Sequence, residues 1–279
     1  MIKQVGVIGL GKMGLPMAGH MVRKGYAVSA YDINEVQMSK AAALGVKICK
    51  SPAEVAANSH LIIIVVGFDS EVLQTLRAED GIYAGARTGS IIAVSSTCYA
   101  ETMQTIQDDV EKLGKNLKVL DIPTCRSERA AVDGTLLVLG GGDASVFKEC
   151  EPVFASFATD IALLGGLGAG QVGKMINNLL LWSCIAANFE GLKLGAAMGL
   201  DEKKLREALL KSSGRNWALE TWDQPRAMPW AEKDMTIVAH EADRFKLSMP
   251  MSGVVKEVIK SIKKEWGMAT PVVTGAGKK

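Results

Sequence analysis

Gln4-Val-Gly-Val-Ile-Gly-Leu-Gly-Lys-Met-Gly-Leu-Pro-Met-Ala18 decides the fold. Its first five residues read as a buried strand and its last open a helical pattern. Between them, Gly9-Leu10-Gly11-Lys12-Met13-Gly14 fits the GxGxxG dinucleotide fingerprint in the strand-to-helix context it needs. Gly9 permits the tight turn, Gly11 lets the backbone approach a pyrophosphate, and Gly14 lets the helix pack closely on the strand. The helix N-terminus then offers free N–H groups to phosphate oxygens. Asp32 ends the next strand pattern. A carboxylate there accepts hydrogen bonds from an adenosine ribose and repels a 2′-phosphate. Ile33 and Asn34 supply no arginine to offset that repulsion. NAD is therefore the expected cofactor, with NADP disfavoured.

Outward from this stretch, strands are expected at 27–31, 46–48, 61–66, 91–94, 118–122, 135–139 and 160–164. Helical patterns lie between several of them. Leu61–Val66 is apolar throughout, as in a parallel strand buried on both faces. This alternation predicts an α/β fold with a doubly wound Rossmann sheet. Five glycines within 165–173 then interrupt the pattern. Beyond them, helix-period stretches run over 170–198, 201–212, 232–243 and 250–265 with no strand pattern. The chain is expected to divide into an NAD-binding domain, 1–164, and an all-α domain, 165–279, for substrate binding and oligomerisation. From Val172 to Met198 apolar residues cover more than one helical stripe, so a second subunit is expected to bury part of that surface.

Apolar residues make up 48% of the chain and charged residues 22%, a globular balance. The formal net charge of +2 gives no reason to invoke nucleic acid or an anionic membrane. The longest pure apolar run, Leu61–Val66, is far too short to span a bilayer. No signal-peptide pattern precedes the first strand, so a cytoplasmic location is expected. Five scattered cysteines without a CxxC pair suit neither a zinc site nor a disulfide framework, and no metal is expected.

Hydride chemistry at a carbonyl also needs a group that gives or takes a proton. His20, His60 and His240 lie in no site-like setting, and no Tyr-x-x-x-Lys occurs. Lys174 remains. It follows the glycine-rich segment, and on a helix it shares a face with Asn178, four residues on.

Nearly end to end, the chain resembles the β-hydroxyacid dehydrogenase family. Residues 6–18 look like its cofactor loop, and 168–178, Gly-Ala-Gly-Gln-Val-Gly-Lys-Met-Ile-Asn-Asn, look like its catalytic segment. Asp121-Ile122-Pro123 through Gly134-Thr135-Leu136 holds the place of its substrate loop, and Lys233-Asp234-Met235 that of its late Lys-Asp motif. The resemblance implies an NAD-dependent enzyme interconverting a 3-hydroxy acid, a small anionic substrate, with its semialdehyde. It implies that Lys174 is the general acid/base, that Asn178 orients the substrate and that Lys233 closes over the cofactor. Ser96 and Thr97 match a pair near the nicotinamide, Ser96 towards the substrate and Thr97 towards the cofactor. Val66 and Gly67 complete the expected cofactor contacts. A homodimer or homotetramer is implied as well. Two alternatives stay open: reduction of a different small carbonyl compound, and a cofactor-binding interaction module without catalysis.

One motif departs from the family. Its substrate loop usually reads Asp-x-Pro-Val-Ser-Gly-Gly, whereas here it reads Asp121-Ile122-Pro123-Thr124-Cys125-Arg126-Ser127. Two readings of Arg126 compete. Its fork of donors binds an anionic substrate group beside Cys125 and Ser127, or it points outward to solvent. The first is the expectation carried forward.

Overall fold

The computed structural model describes residues 2–224 and 228–270. Positions 271–279 of the expected second domain lie outside the described residues. The chain forms two compact units, one ending at Lys174 and the other beginning at Met175.

The first unit holds strands β1 (Gln4–Ile8), β2 (Ala27–Tyr31), β3 (Lys47–Ile48), β4 (Leu61–Ile64), β5 (Ile91–Val94), β6 (Lys118–Asp121), β7 (Thr124–Cys125), β8 (Leu136–Gly142) and β9 (Ala158–Gly165). Helices α1 (Gly14–Arg23), α2 (Glu35–Ala43), α3 (Pro52–Ala57), α4 (Asp69–Arg77), α5 (Ile82–Gly85), α6 (Ala100–Leu113), α7 (Ser127–Asp133) and α8 (Ala144–Phe154) connect them. Local chemistry sets several boundaries. Asn34 caps α2 through the Val36 N–H, Ser51 caps α3 through Glu54, and Asp143 caps α8 through Ser145 and Val146. Gly114 stops α6 in the left-handed conformation.

One sheet runs β3-β2-β1-β4-β5-β6-β8-β7, with β9 on β8. Strands β1 to β6 are all parallel. The chain leaves β1 in one direction to β2 and returns on its other side as β4, which opens a crevice at the carboxyl ends of those strands. The sequence pattern is met in β4, although the strand ends at Ile64 rather than Val66. Leu61 and Ile63 face one core while Ile62 and Ile64 face the other, which is why no residue of the run is polar. Past β6 the sheet is no longer purely parallel. β8 runs antiparallel to both β6 and β7 before pairing in parallel with β9.

The second unit holds most of α9 (Ala169–Ala197), followed by α10 (Glu202–Leu209), α11 (Trp217–Glu220), α12 (Ala231–Arg244) and α13 (Pro250–Glu265). Its core gathers Trp182, Ile185, Met235, Val238, Ile259 and Ile262. The opposite side of α9 stays uncovered, with Ile176, Leu180 and Leu194 exposed. No helix among the described residues is long and apolar enough to cross a membrane.

Candidate active site

The glycine loop lies at the carboxyl end of β1. Gly9 takes φ +95° and donates its N–H to the Tyr31 carbonyl at 3.0 Å. A Cβ on Gly14 would lie 1.9 Å from the Gly9 carbonyl oxygen, so the turn closes only with glycine at that corner. A Cβ on Gly11, by contrast, would meet nothing within 4 Å. No side chain caps α1. Open space thus lies over a backbone turn whose N–H groups head a helix, the form a dinucleotide pyrophosphate requires. Asp32, at the end of β2, accepts the Leu10 N–H at 2.5 Å and the Asn34 N–H at 2.8 Å. The carboxylate expected to meet the ribose is therefore tied to the glycine loop itself. Lys12 pairs with Glu128 of α7 at 3.0 Å, with both side chains largely exposed, and Met13 packs partly buried against the core. These residues fit NAD, which accepts or returns a hydride at its nicotinamide ring when bound.

After β4, the Val66 N–H donates to the Ser96 hydroxyl at 2.9 Å, and the Gly67 N–H donates to Glu71 at 2.9 Å. Thr97, half-buried, follows Ser96 in the turn beyond β5. Beside it, the Ser95 hydroxyl is buried without a hydrogen-bond partner among the described residues. Such an orphan at the edge of a cofactor crevice is an available donor.

The loop expected to hold substrate bends into the left-handed region without glycines. Arg126 takes φ +84° and Ser127 φ +71°, both left-handed. Two successive side-chain-bearing residues there cost about 1 kcal/mol or more each and persist only when their surroundings fix them. The Arg126 side chain does the fixing. Its Nη1 donates to Asp160 at 2.6 Å, to Thr159 Oγ1 at 3.0 Å and to the Thr135 carbonyl at 3.2 Å. This guanidinium pulls the Asp160 carboxyl below its usual range. Arg126 and Asp160 are both substantially exposed. The arginine expected to meet an anionic substrate is already engaged with a carboxylate of its own chain.

Cys125 is buried, and its neighbour across the site is Lys174, whose Nζ lies 4.0 Å from the thiol sulfur. Burial pushes the Cys125 thiol up from its ordinary pKa, outweighing the pull of Lys174 and Arg126 in the other direction. A thiol held protonated in this way is a poor nucleophile. Lys174 itself is half-buried. Asn178 follows one turn later on α9, 4% exposed, with its Oδ1 accepting from the Asn177 side chain at 3.1 Å. Lys233, in the second unit, stands 5.6 Å from the Trp230 ring centroid. His20, one of the three histidines, bonds the Val132 carbonyl and Arg23.

Two residues that residue-by-residue reading passes over lie at the centre of the first unit. Asp121, fully buried at the end of β6, accepts the Gly168 N–H at 2.7 Å and the Gln171 N–H at 2.8 Å. Burial raises its carboxyl above the usual range, although these N–H donors oppose the rise. Gln171, 1% exposed, donates to the Ser96 carbonyl at 2.8 Å and accepts the Cys98 N–H at 2.9 Å. A sequence signal did exist: Gln171 precedes Lys174 by three residues, which places the two on one helical face.

Comparison with known proteins bears on the fold and the family. The model of the NAD-binding domain of 6-phosphogluconate dehydrogenase matches residues 4–166. That of the NAD-binding region of NADP-dependent 3-hydroxyisobutyrate dehydrogenase matches residues 168–271. An NAD-dependent L-serine dehydrogenase of Pseudomonas aeruginosa is 31% identical, over 82% of this chain and 74% of its own. A 2-(hydroxymethyl)glutarate dehydrogenase of Eubacterium barkeri is 29% identical, over 91% of this chain and 87% of its own. The solved Mycobacterium tuberculosis 3-hydroxyisobutyrate dehydrogenase with L-serine superposes at a TM-score of 0.86, with 23% identity and 97% of each chain covered. At that identity it speaks for the fold alone. The two family models together cover nearly all of the sequence, one on the sheet and one on the helices. The chain belongs to the β-hydroxyacid dehydrogenase family and is an NAD-dependent oxidoreductase of hydroxy acids.

Proposed function

We propose that the enzyme interconverts a 3-hydroxy acid of the form HOCH2–CHR–COO⁻ with its semialdehyde, and that Lys174 is the general acid/base. The contact of Lys174 Nζ with Cys125 on the substrate loop carries this reading, because it sets a protonatable amine against the segment that holds substrate in the family. L-serine, 3-hydroxyisobutyrate and 2-(hydroxymethyl)glutarate, the compounds named for the relatives, share that HOCH2–CH–COO⁻ core and differ only at R. Oxidation needs the hydroxyl proton removed as hydride leaves the same carbon, and Lys174 takes it; in the reverse direction Lys174 returns it. Asn178, one turn along α9, orients the hydroxyl. Backbone N–H groups around Cys125 and Ser127 hold the carboxylate, with the Ser96 turn at their side.

Arg126 is assigned to the loop rather than to the substrate, since its donors already serve Asp160. Gly9 to Gly14 cradle the pyrophosphate and Asp32 accepts the ribose hydroxyls. Val66, Gly67, Thr97 and Lys233 complete the cofactor contacts. Asp32 supports NAD over NADP, because a 2′-phosphate beside it would meet a carboxylate. The cytoplasm suits a chain whose cysteines are all unpaired and mostly buried.

Replacing the lysine tests the core of this proposal. Lys174→Ala is expected to lower turnover by about two to four orders of magnitude, as removal of a positioned proton-transfer group does. Its NAD affinity should change little, and near-wild-type turnover would refute the assignment. The active form is a homodimer or homotetramer, a reading supported by the exposed Ile176, Leu180 and Leu194 of α9. Light scattering at micromolar concentration is expected to give at least twice the chain mass, and a monomer would overturn that part.

A further inference from the structure

We propose that Gln171, anchored by Asp121, is a positioning residue that holds Lys174 in register with the substrate loop. The inference rests on Lys174 being the acid/base. Its basis is a closed circuit of contacts within the first unit. Asp121 begins the substrate segment and Cys125 lies four residues along it. Cys125 meets Lys174, Gln171 stands one helical turn before Lys174, and the Gln171 N–H returns to Asp121. The Gln171 side chain adds a second tie, donating to the Ser96 carbonyl and accepting the Cys98 N–H in the turn beside the cofactor crevice. The first turn of α9 is thus fastened to two strand ends by different parts of one residue.

Space has been cleared for the anchor. A Cβ on Gly170 would lie 2.7 Å from one Asp121 carboxylate oxygen, and a Cβ on Gly141 2.4 Å from the other. The carboxylate is received by two glycine surfaces and by main-chain donors at the start of a helix, where negative charge is favoured. Without the side-chain tie, the helix start is held by the Asp121 carboxylate alone and can roll about it relative to the Ser96 turn. A long lysine side chain then carries that error to its amine, and an error of about 1 Å at a reacting group can cost a hundredfold in rate.

The test compares wild type with Gln171→Leu, which removes both side-chain hydrogen bonds, and with Gln171→Glu. The glutamate keeps length and the acceptor for Cys98 but sets an oxygen against the Ser96 carbonyl. The second variant covers the case in which the first does not fold. Lys174→Ala runs alongside. L-serine and 3-hydroxyisobutyrate serve as substrates, and each variant is measured for kcat, KM, NAD affinity, thermal midpoint and the pH profile of kcat. For a positioning residue, kcat per folded enzyme falls about tenfold to a hundredfold. KM and NAD affinity stay within about threefold, and the pH at half-maximal kcat moves. If kcat per folded enzyme stays within about twofold of wild type, the proposal fails. It also fails if activity falls only as the folded fraction falls, with the pH profile unmoved. An inactive Lys174→Ala beside fully active Gln171 variants refutes the clamp alone, whereas an active Lys174→Ala refutes the clamp and the acid/base reading together.

Discussion

The glycine loop and the substrate loop bend the backbone the same way by opposite means. In the first, Gly9 takes a positive φ without a side chain, Gly14 clears the space at its carbonyl, and Gly11 faces open space. In the second, Arg126 and Ser127 take positive φ with side chains present, and an ion pair to Asp160 holds the bend. The first solution leaves a cavity for a ligand and costs chain entropy. The second fills its surroundings and stores backbone strain. Where a loop must admit a large anion against its backbone, only the first will serve. Where it need only present a few N–H groups in fixed directions, the second is sufficient.

The comparison breaks most sharply at the glycines. Gly14→Ala puts a methyl into the Gly9 carbonyl, a backbone collision that no rotamer relieves. The expected cost is about 3 kcal/mol. At that cost the thermal midpoint drops by roughly 5–10 °C, and the distorted loop binds NAD about a hundredfold more weakly. Gly11→Ala meets nothing in the protein, so its thermal midpoint should stay at the wild-type value while NAD binding, followed by fluorescence quenching, weakens roughly tenfold. Equal destabilisation by both changes would show that the two glycines do not divide the work in this way.

Smaller effects belong to the substrate loop. Arg126→Ala should raise KM for the best hydroxy acid by about twofold to fivefold, and Asp160→Asn should do the same, because either removes the exposed latch. Arg126→Gly should recover part of that loss, since glycine relieves the left-handed strain of about 1 kcal/mol. An Arg126→Ala penalty much larger than that of Asp160→Asn would return the arginine to the substrate. Acid offers a gentler version of the same test. Arg126 depresses the Asp160 carboxyl, so the latch is intact above the ordinary aspartate range and is lost as pH falls through the depressed value.

The sequence made the parallel half of the sheet legible because buried strands there are continuous apolar runs with glycine or polar stops, as in Leu61–Ile64. It gave no such signal for β7, two residues long and lodged after Pro123, where no period can register. The cofactor loop could be read because its glycines have a fixed spacing that follows from phosphate geometry. Arg126 could not, since the choice between substrate and latch depends on Asp160, 34 positions away. Asp121 and Gln171 escaped for a related reason. Each acts through main-chain partners, and a hydrogen bond to a backbone N–H leaves no mark on the identity of the residue that donates it.

The compact unit that carries the sheet ends at Lys174, inside α9, and not at the glycine segment where the fold class changes. The seam between the two family models, at residues 166 and 168, falls before the lysine. Recombination is sensitive to that difference. A chimera joined at 167 takes Asp121 from one parent and Gln171 with Lys174 from the other, so a clamp matched within each parent must be rebuilt from mismatched halves. Joined after Lys174, the same exchange passes the strand end, the clamp and the amine on as one heritable block and leaves the remaining helices free to diverge.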